Sequence, residues 1–402
     1  MKRKLNILSG DTALWVIFFL LSGISLIAVY SSIGLSAITE HHSTPMAVFF
    51  KHLGVVVLTY VAIIVISHFN YRIFAKASQW LFWLSVVLLV LVLIFHTERW
   101  LVVPHVGRFQ PSEIAKIALL VFTARNIAVS REKLDDPTTF YLILVPVLLT
   151  CLLVAPENLS TGILIFLSCY LMLLFGGVCR RMWWKWFFII VVVSAFLFII
   201  LYFFGDKINL FRSSTWSHRL QNWLHPNPDD LNQENMARMA VARGGFFFHN
   251  GIGTTIHGRL MSQAYNDFIY AIIIEEVGSL VALFIFALYA WFYFRCVRIA
   301  SRCRGLFGSL SVAGIGTLIF LQALIHMLVA LGVLPVTGQT LPFISYGGTA
   351  YLCMGCGIGI IQAVAADNKR QERKLKQQQN AQLQASDTAS NTNDNNQNNP
   401  KT

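Results

Sequence analysis

Residues 13–34 read Ala-Leu-Trp-Val-Ile-Phe-Phe-Leu-Leu-Ser-Gly-Ile-Ser-Leu-Ile-Ala-Val-Tyr-Ser-Ser-Ile-Gly and contain no charged side chain. An α-helix of about 20 apolar residues is long enough to cross the hydrocarbon core of a bilayer. The run lacks the alternation of polar and apolar residues that is typical of a membrane barrel strand. It is also longer than a typical signal-peptide core, and no clear cleavage site follows it. The run therefore predicts a transmembrane helix.

Further apolar runs of similar length follow along the chain. Hydrophobic residues make up 56% of the 402 residues and charged residues only 12%, about half the charged fraction of a soluble domain. Most of this apolar surface must therefore face lipid. The sequence predicts an all-α integral membrane protein, a polytopic bundle of about ten transmembrane helices. The further runs are 46–69, 78–96, 113–129, 139–155, 161–178, 186–204, 267–294, 307–332 and 343–366.

Lysine and arginine are concentrated in alternate connections between these runs, and this asymmetry predicts the topology. By the positive-inside rule, both termini are expected in the cytoplasm. The net charge of +12 then reflects anchoring to anionic lipid, and nucleic acid is not expected as a partner. The predicted organisation is a cytoplasmic N-terminus (1–12), one membrane domain (13–366) and a polar, disordered cytoplasmic tail (367–402).

One predicted extracytoplasmic connection, residues 205–266, is far longer than the others. A structureless loop of this length is uncommon and is often functional. It combines lysine, arginine and histidine with the glycines of 244–245 and 251–253, which allow close approach of the backbone. Such a surface suits an anionic, lipid-linked substrate. A solvated loop with scattered charge is the alternative interpretation.

Ionisable residues inside membrane spans are candidate functional residues, because burying a charge in lipid is costly. Glu113 and Lys116 are three residues apart and can face each other on one helix, which favours a structural ion pair. Pro111 and Ser112 indicate the start of that helix. His326 is expected to form a hydrogen bond between helices.

Three acids follow the long loop. Asp267 is expected at the outer membrane interface, where its carboxylate can accept a proton from an attacking hydroxyl; a helix cap or a lone surface acid is the alternative. Glu275 and Glu276 follow eight and nine residues later, so in one continuous helix they would lie ~12–14 Å deeper. There they are expected to face a polar cavity or to pair with a buried cation such as Lys116.

Four stretches of the chain carry recognisable motifs. With these motifs, the sequence over residues 10–366 resembles the SEDS proteins (shape, elongation, division and sporulation), which are polytopic peptidoglycan polymerases. The motifs are Arg99-Trp100 followed by Gln110-Pro111-Ser112-Glu113-Ile114-Ala115-Lys116; Gln233 with Ala242-Arg243-Gly244-Gly245 and Gly251-Ile252-Gly253; Asp267-Phe268-Ile269-Tyr270-Ala271 through Glu275-Glu276-Val277-Gly278; and Leu334-Pro335-Val336-Thr337-Gly338 with Leu341-Pro342-Phe343-Ile344-Ser345-Tyr346-Gly347-Gly348-Thr349.

Three positions depart from the family pattern. Where the family has Pro-Asp-x-Gly-Thr, this chain has Pro156-Glu157-Asn158-Leu159-Ser160-Thr161, so Glu157 or Asn158 is expected to replace the acid. Tyr265-Asn266 precedes Asp267 in place of His-Thr, and His326 stands in place of an asparagine. These departures concern the interior of the bundle.

The resemblance implies processive glycosyl transfer. The lipid-linked end of the growing glycan would be the donor, and the 4-hydroxyl of lipid II would be the acceptor. Asp267 matches the catalytic aspartate of the family and is assigned as the general base. A divalent cation can assist the leaving diphosphate, but no ligand cluster in the sequence requires a metal site. The residues predicted to bind substrate are Arg99, Trp100, Glu113, Lys116, Arg219, Gln233, Arg243, Arg259 and Ser345.

The resemblance also implies a partner and a location. A class B penicillin-binding protein is expected to supply transpeptidation, together with other divisome proteins. The N-terminal segment and the long polar tail favour an FtsW-like division member in the bacterial inner membrane at the division site. A RodA-like elongation member is the alternative.

Two further functions stay open at this stage. The first is a transporter that flips lipid II, which would need charge near the midplane, such as Glu275 and Glu276. The second is a noncatalytic scaffold that recruits a synthase, for which Asp267 would be dispensable.

Overall fold

The computed structural model describes residues 8–32, 45–95, 101–103, 107–204, 213–227, 232–247, 250–261 and 264–397. Most of these residues are helical. The helices are α1 (Thr12–Ser32), α2 (Pro45–His68), α3 (Arg72–Phe95), α4 (Pro111–Val129), α5 (Pro137–Val154), α6 (Leu159–Phe175), α7 (Arg180–Phe204), α8 (Ser213–Leu224), α9 (Gln233–Arg243), α10 (His257–Leu260), α11 (Ala264–Asp267), α12 (Ile269–Val277), α13 (Ser279–Ser301), α14 (Leu306–Ala330) and α15 (Gly348–Gln397).

The predicted polytopic bundle is confirmed. Eight helices in the described residues are long and apolar enough to cross a membrane, namely α1, α2, α3, α5, α7, α13, α14 and α15. The shorter α6 and the charge-bearing α4 complete the set of predicted spans. Most of α4 is buried by its neighbours, and its charged residues Glu113 and Lys116 are buried with it and do not face lipid. Large apolar side chains such as Trp80, Leu142 and Leu152 are exposed around the bundle, as a lipid-facing surface requires.

A small hairpin precedes α4 and is the one departure from the all-α expectation in the described residues. Strand β1 (Leu101–Val103) pairs antiparallel with β2 (Gly107–Phe109), with Leu101 opposite Phe109. Gln110 follows in an extended conformation, and Pro111 opens α4 because its fixed φ suits the first helical position. The predicted helix start is therefore confirmed.

The predicted span 267–294 is not one helix. Helix α12 ends at Val277, Gly278 has a φ of 85°, and α13 begins at Ser279. The Tyr270 hydroxyl donates to the carbonyl of Ala282 at 3.0 Å. A continuous helix would separate these two residues by about 18 Å along its axis. The chain therefore turns back at Gly278, a conformation that glycine adopts without the steric cost of a Cβ atom.

Contacts distinguish the two ends of the bundle. At the terminal end, Gly10 and Asp11 contact Gln362 and Lys369 of α15, and Asp11 pairs with Arg295 of α13. The chain therefore enters and leaves the bundle at the same end. The opposite end carries α8, α9 and α10 and is termed the loop end below. That the terminal end faces the cytoplasm stays a prediction.

The polar tail continues α15 without a break as far as Gln397. A helix that extends from a folded bundle needs no new nucleation, and lysine, arginine and glutamine are good helix formers. Residues 372–382 are mostly exposed. The described part of the tail is therefore helical, whereas the disorder expected from composition and the domain boundary at residue 367 stay predictions.

Candidate active site

The segment after α14 turns back into the bundle. Helix α14 runs from the terminal end to the loop end, and residues 331–347 then descend beside it. The Gln339 carbonyl accepts a hydrogen bond from His326 Nδ1 at 2.7 Å, and the Thr340 carbonyl accepts one from Gln322 Nε2 at 2.9 Å. Gln322 lies eight residues, about 12 Å, before the end of α14 at Ala330. Residues 336–347 therefore form a re-entrant segment, which is tolerated at membrane depth only inside protein.

A second descending segment, residues 264–267, meets the re-entrant segment. Ser345 Oγ accepts a hydrogen bond from the Leu341 N–H at 2.7 Å and donates one to the Asn266 carbonyl at 2.7 Å. The Tyr346 N–H donates to the Tyr265 carbonyl at 3.1 Å. Asp267 follows directly and is partly exposed. The structure thus brings Ser345 next to the segment that carries Asp267, although the two motifs are far apart in sequence.

The depth order expected for the three acids is wrong. Ser31, near the loop end of α1, donates to Glu276 Oε1, whereas Ser25 donates to the Ile344 carbonyl at 2.9 Å. Six helical residues, about 9 Å, separate these two serines along α1. The junction that carries Asp267 is therefore deeper than Glu276. The order is inverted because the chain turns back at Gly278.

Glu275 organises the loop end. Its carboxylate accepts hydrogen bonds from Arg243 Nη1 at 3.1 Å, His257 Nδ1 at 2.9 Å, the Thr255 hydroxyl and the N–H groups of Ile256 and His257. Glu275 thus pairs with a cation as expected, but the cation is Arg243 and not Lys116, which pairs with Glu113. Arg243, a predicted substrate-binding cation, has its charge balanced by Glu275.

The neighbouring backbone is held in the same way. Asn250 Nδ2 donates to the Glu275 carbonyl at 2.7 Å, the Gly251 N–H donates to the Glu276 carbonyl at 2.9 Å, and the Gly253 N–H lies 3.2 Å from Glu276 Oε1. Residues 250–257 are termed the cap segment below. The two acids thus attach the cap segment to the top of α12.

The predicted pairing of Glu113 with Lys116 is confirmed. Lys116 Nζ lies 2.8 Å from Glu113 Oε1, and both side chains are buried. Lys116 also donates to Gln322 Oε1 at 3.3 Å, and Gln322 in turn holds the Thr340 carbonyl. The buried cation is therefore linked to the re-entrant segment through one side chain. Its role toward substrate stays a prediction.

The loop-end helix α8 contacts the entrance of the re-entrant segment. Arg219 Nη1 of α8 donates to the Val336 carbonyl at 3.2 Å, and Trp223 Nε1 donates to the Gly332 carbonyl at 3.3 Å. Gln233 opens α9 behind the cap residue Asn232, whose side chain accepts from the Asn235 N–H. Contacts of Arg219 and Gln233 with substrate stay predictions.

Three predicted site residues cannot be compared in full. Arg99 and Trp100 lie outside the described residues, and Arg259 is described only by its backbone in α10. In the described part of the chain, no group of three or more histidine, cysteine, aspartate or glutamate side chains is placed to hold a metal ion.

Sequence reasoning missed several polar residues that support the site. Ser25, Ser31 and Gln322 each bond to one of the two descending segments or to the end of α12. Their signal is weak, because each is a single polar residue within an apolar run. At the departures from the family pattern, Asn158 caps α6 by accepting hydrogen bonds from the Ser160 and Thr161 N–H groups.

A comparison with protein families identifies the chain. The family model described as cell cycle protein, whose members carry the names FtsW, RodA and SpoVE, matches residues 11–370. The chain belongs to this family. The matched residues therefore include both descending segments, the cap segment and the buried Glu113–Lys116 pair on α4.

Curated members of the cell cycle protein family resemble the chain over most of its length. "Probable peptidoglycan glycosyltransferase FtsW" of Bacillus subtilis (strain 168) is 28% identical over 384 residues, which cover 92% of this chain and 94% of that protein. "Peptidoglycan glycosyltransferase MrdB" of Escherichia coli (strain K12) is 28% identical over 331 residues, or 79% of this chain and 86% of that protein.

Solved structures share the fold. The rod shape determining protein RodA of Thermus thermophilus superposes with a TM-score of 0.64 at 19% identity, over 91% of this chain and 99% of that one. A chain of a structure described as "Structural coordination of polymerization and crosslinking by a peptidoglycan synthase complex" gives a TM-score of 0.69 at 20% identity, over 90% and 99%. The descending segments therefore belong to a fold that these proteins share.

Proposed function

We propose that this member of the family is a peptidoglycan glycosyltransferase that polymerises lipid II at the outer face of the bacterial cytoplasmic membrane. The observation that carries the proposal is the junction of the two descending segments. It holds Asp267, a partly exposed acid, beside Ser345 inside an apolar bundle. The names of the curated relatives support the reaction class.

The proposed chemistry assigns Asp267 one role. Its carboxylate accepts the proton of the lipid II 4-hydroxyl as that oxygen attacks the anomeric carbon of the growing chain. The bond from that carbon to the lipid diphosphate breaks, and the diphosphate leaves with the bonding electrons. Ser345 contributes by holding the backbone immediately before Asp267 through the Asn266 carbonyl. Such positioning can lower a barrier substantially, because the reacting groups are oriented before the reaction.

The leaving diphosphate needs positive charge nearby. Among the predicted cations with described side chains, Lys116 and Arg243 each pair with a glutamate, and Arg219 donates to the Val336 carbonyl. We assign Lys116 and Arg219 to the diphosphate, because Lys116 is linked to the re-entrant segment through Gln322 and Arg219 donates directly to the Val336 carbonyl of that segment. Arg243 is assigned to the cap segment through Glu275.

A lipid II transporter is the second candidate, and the buried Glu113–Lys116 pair favours it, because transport pathways contain intramembrane charge. The depth of the acids no longer separates the two functions, since Asp267 lies deeper than Glu276. A direct assay must separate them instead.

The proposed partner is a class B penicillin-binding protein, which would cross-link the strands that this chain makes. The polar tail and the N-terminal segment support a division role with other divisome proteins at the septum. An elongation role, as in RodA-like members, is the competing assignment. Localisation of a tagged chain in dividing and elongating cells distinguishes the two.

The decisive experiment measures glycan chains made from lipid II by the purified protein with its penicillin-binding partner. Wild type is compared with Asp267→Asn and with Asp135→Asn, an exposed acid on a connection at the opposite end. We expect polymer from wild type and Asp135→Asn and none from Asp267→Asn, with partner binding intact. Normal polymerisation by Asp267→Asn would refute the base assignment. Transfer of lipid II across liposomes without any polymer would favour the transporter.

A further inference from the structure

A serine and a histidine in the first two spans form a hydrogen-bonded pair below the site. Ser25 of α1 and His52 of α2 are 0% and 1% exposed. Ser25 Oγ lies 2.8 Å from His52 Nε2 and 2.9 Å from the carbonyl oxygen of Ile344 in the re-entrant segment. Neither residue belongs to the motifs that identify the family. A buried pair of this kind in an apolar bundle calls for a physical role.

The count of protons fixes the direction of both hydrogen bonds. A carbonyl oxygen can only accept, so Ser25 donates its single hydroxyl proton to Ile344. Ser25 must then accept from His52, which carries a proton on Nε2. The ring of His52 packs against Tyr346 and Tyr351, with centroids 5.5 Å and 5.7 Å apart. The imidazole is thus held in one orientation and directs the Ser25 hydroxyl toward Ile344.

The bonded carbonyl lies at a strained point of the backbone. Phe343, one residue earlier, has a φ of 63° and is the one non-glycine residue with a positive φ in the described part of the chain. A residue with a side chain rarely adopts this backbone conformation unless its surroundings hold it there. Phe18 and Tyr351 pack edge-on against the Phe343 ring. Ser25 supplies the polar restraint on the following carbonyl.

The contact of Ser25 with Ile344 is connected to Asp267 through Ser345. Ile344 is bonded to Ser345, whose hydroxyl holds the Asn266 carbonyl, and Asn266 precedes Asp267. We propose that Ser25 and His52 are positioning residues that fix the re-entrant segment and, through Ser345, the place of Asp267 in the transfer reaction. This inference rests on the proposed glycosyltransferase function. Neither side chain is assigned a proton transfer, because the chain of bonds ends at a backbone carbonyl.

The kinetic test uses glycan polymerisation from lipid II by the protein with its penicillin-binding partner. In Ser25→Ala we expect kcat to fall by about tenfold or more, while KM for lipid II changes by less than about twofold, because the acid is misplaced but the substrate surface is kept. Ser25→Thr, which keeps a hydroxyl, should recover most of the rate. His52→Phe, which keeps a ring but loses the N–H, should give a smaller loss of kcat.

The double variant tests whether His52 acts through Ser25. Since His52 acts only through Ser25, Ser25→Ala/His52→Phe should be no slower than Ser25→Ala alone. Additive losses of kcat would mean that the two side chains act independently. That result would overturn the proposal that His52 acts through Ser25. Ser32→Ala is the matched control, because Ser32 is also fully buried on α1 and donates to carbonyls of its own helix.

Hydrogen exchange gives a readout that does not depend on activity. We expect the amides of residues 343–346 to exchange about tenfold faster in Ser25→Ala, and to be unchanged in Ser32→Ala. If Asp267→Asn polymerises normally, the proposed base role fails, whereas faster exchange still supports the contact of Ser25 with the segment. If Asp267 is essential but Ser25→Ala keeps the wild-type kcat, the positioning role is refuted and the proposed function stands.

Discussion

Lys116 Nζ and Glu113 Oε1 lie 2.8 Å apart on one face of α4, and the lysine side chain is fully buried. The two charges cancel at short range, which allows a helix with both residues to lie inside a membrane bundle. Gln322 joins the pair to the carbonyl of Thr340. The ion pair on α4 therefore helps to hold the re-entrant segment, which follows α14 in the sequence.

Removing one member of the Glu113–Lys116 pair should destabilise the protein much more than removing both. In Lys116→Met the Glu113 carboxylate stays buried without its cation, so we expect the free energy of unfolding to fall by about 3–5 kcal/mol. Glu113→Gln/Lys116→Met should recover most of that loss. Thermal unfolding in detergent measures the effect, with the exposed Lys51→Met as control. Equal losses in the single and double variants would contradict the pairing.

Glu275→Gln should loosen the cap segment. An amide keeps one acceptor oxygen, whereas the carboxylate accepts from Arg243, His257, Thr255 and two backbone N–H groups. Each lost bond to a charged acceptor is worth about 1.5–3 kcal/mol. We expect faster hydrogen exchange at residues 250–257, and no change in Glu132→Gln, an exposed acid near the terminal end. Unaltered exchange would show that other contacts hold the cap segment.

Gly244→Ala should disrupt the packing of α9 against α12. A Cβ atom at Gly244 would lie 2.1 Å from the carbonyl oxygen of Ile274, which is rigid backbone. Overpacking of this kind costs about 1–3 kcal/mol. Gly23→Ala is the control, because a Cβ there meets no atom within 4 Å and alanine favours the helix. Melting temperatures of the two variants should move in opposite directions; a stable Gly244→Ala protein would contradict the close approach.

Ser345→Ala should slow polymerisation without preventing assembly. The substitution removes the bond to the Asn266 carbonyl and the acceptor for the Leu341 N–H. A small displacement of Asp267 is expected to reduce kcat by about tenfold to a hundredfold. Ser311→Ala removes a buried hydroxyl that bonds within its own helix α14 and should keep full activity. Equal activity of the two variants would remove Ser345 from the site.

Glu234 should make the loop end less stable at neutral pH. Burial raises the pKa of its carboxyl above the ordinary value of 4.5, although Arg238 and Arg219 oppose the rise. The folded state then binds more protons than the unfolded state, so stability falls as pH rises through the interval between 4.5 and the raised pKa. Glu234→Gln should raise the melting temperature at pH 7, and the gain should vanish below pH 4.5. A gain that persists in acid would contradict this origin.

The apolar runs predicted the spans because the length needed to cross lipid is a strong constraint on composition. The same signal missed the turn at Gly278, since both α12 and α13 are apolar. What stabilises the turn is distant in sequence: the N–H groups of Ser279 and Leu280 donate to the Gly245 and Phe246 carbonyls. A hydropathy pattern contains no information about such partners.

The candidate site, like the fold, was predicted only in part from the sequence. The resemblance to a family pointed to Asp267 and Ser345, and residue types alone identified the pairing of Glu113 with Lys116. The depth of Asp267 could not be predicted, because it follows from a turn eleven residues later in the chain. Ser25 was missed because a serine in a span most often bonds to its own helix, as Ser32 does.

Helix α1 is synthesised before the other described helices, yet two of its polar contacts are with residues synthesised more than 300 residues later. Ser25 bonds to a carbonyl 319 residues later, and Asp11 bonds to a side chain 351 residues later. During insertion, the polar face of α1 must therefore wait in the translocon or in lipid until α15 has been synthesised. Assembly of the bundle can finish only when the last span arrives, so a chain terminated before Gly348 would leave its first helix without the neighbours that complete it.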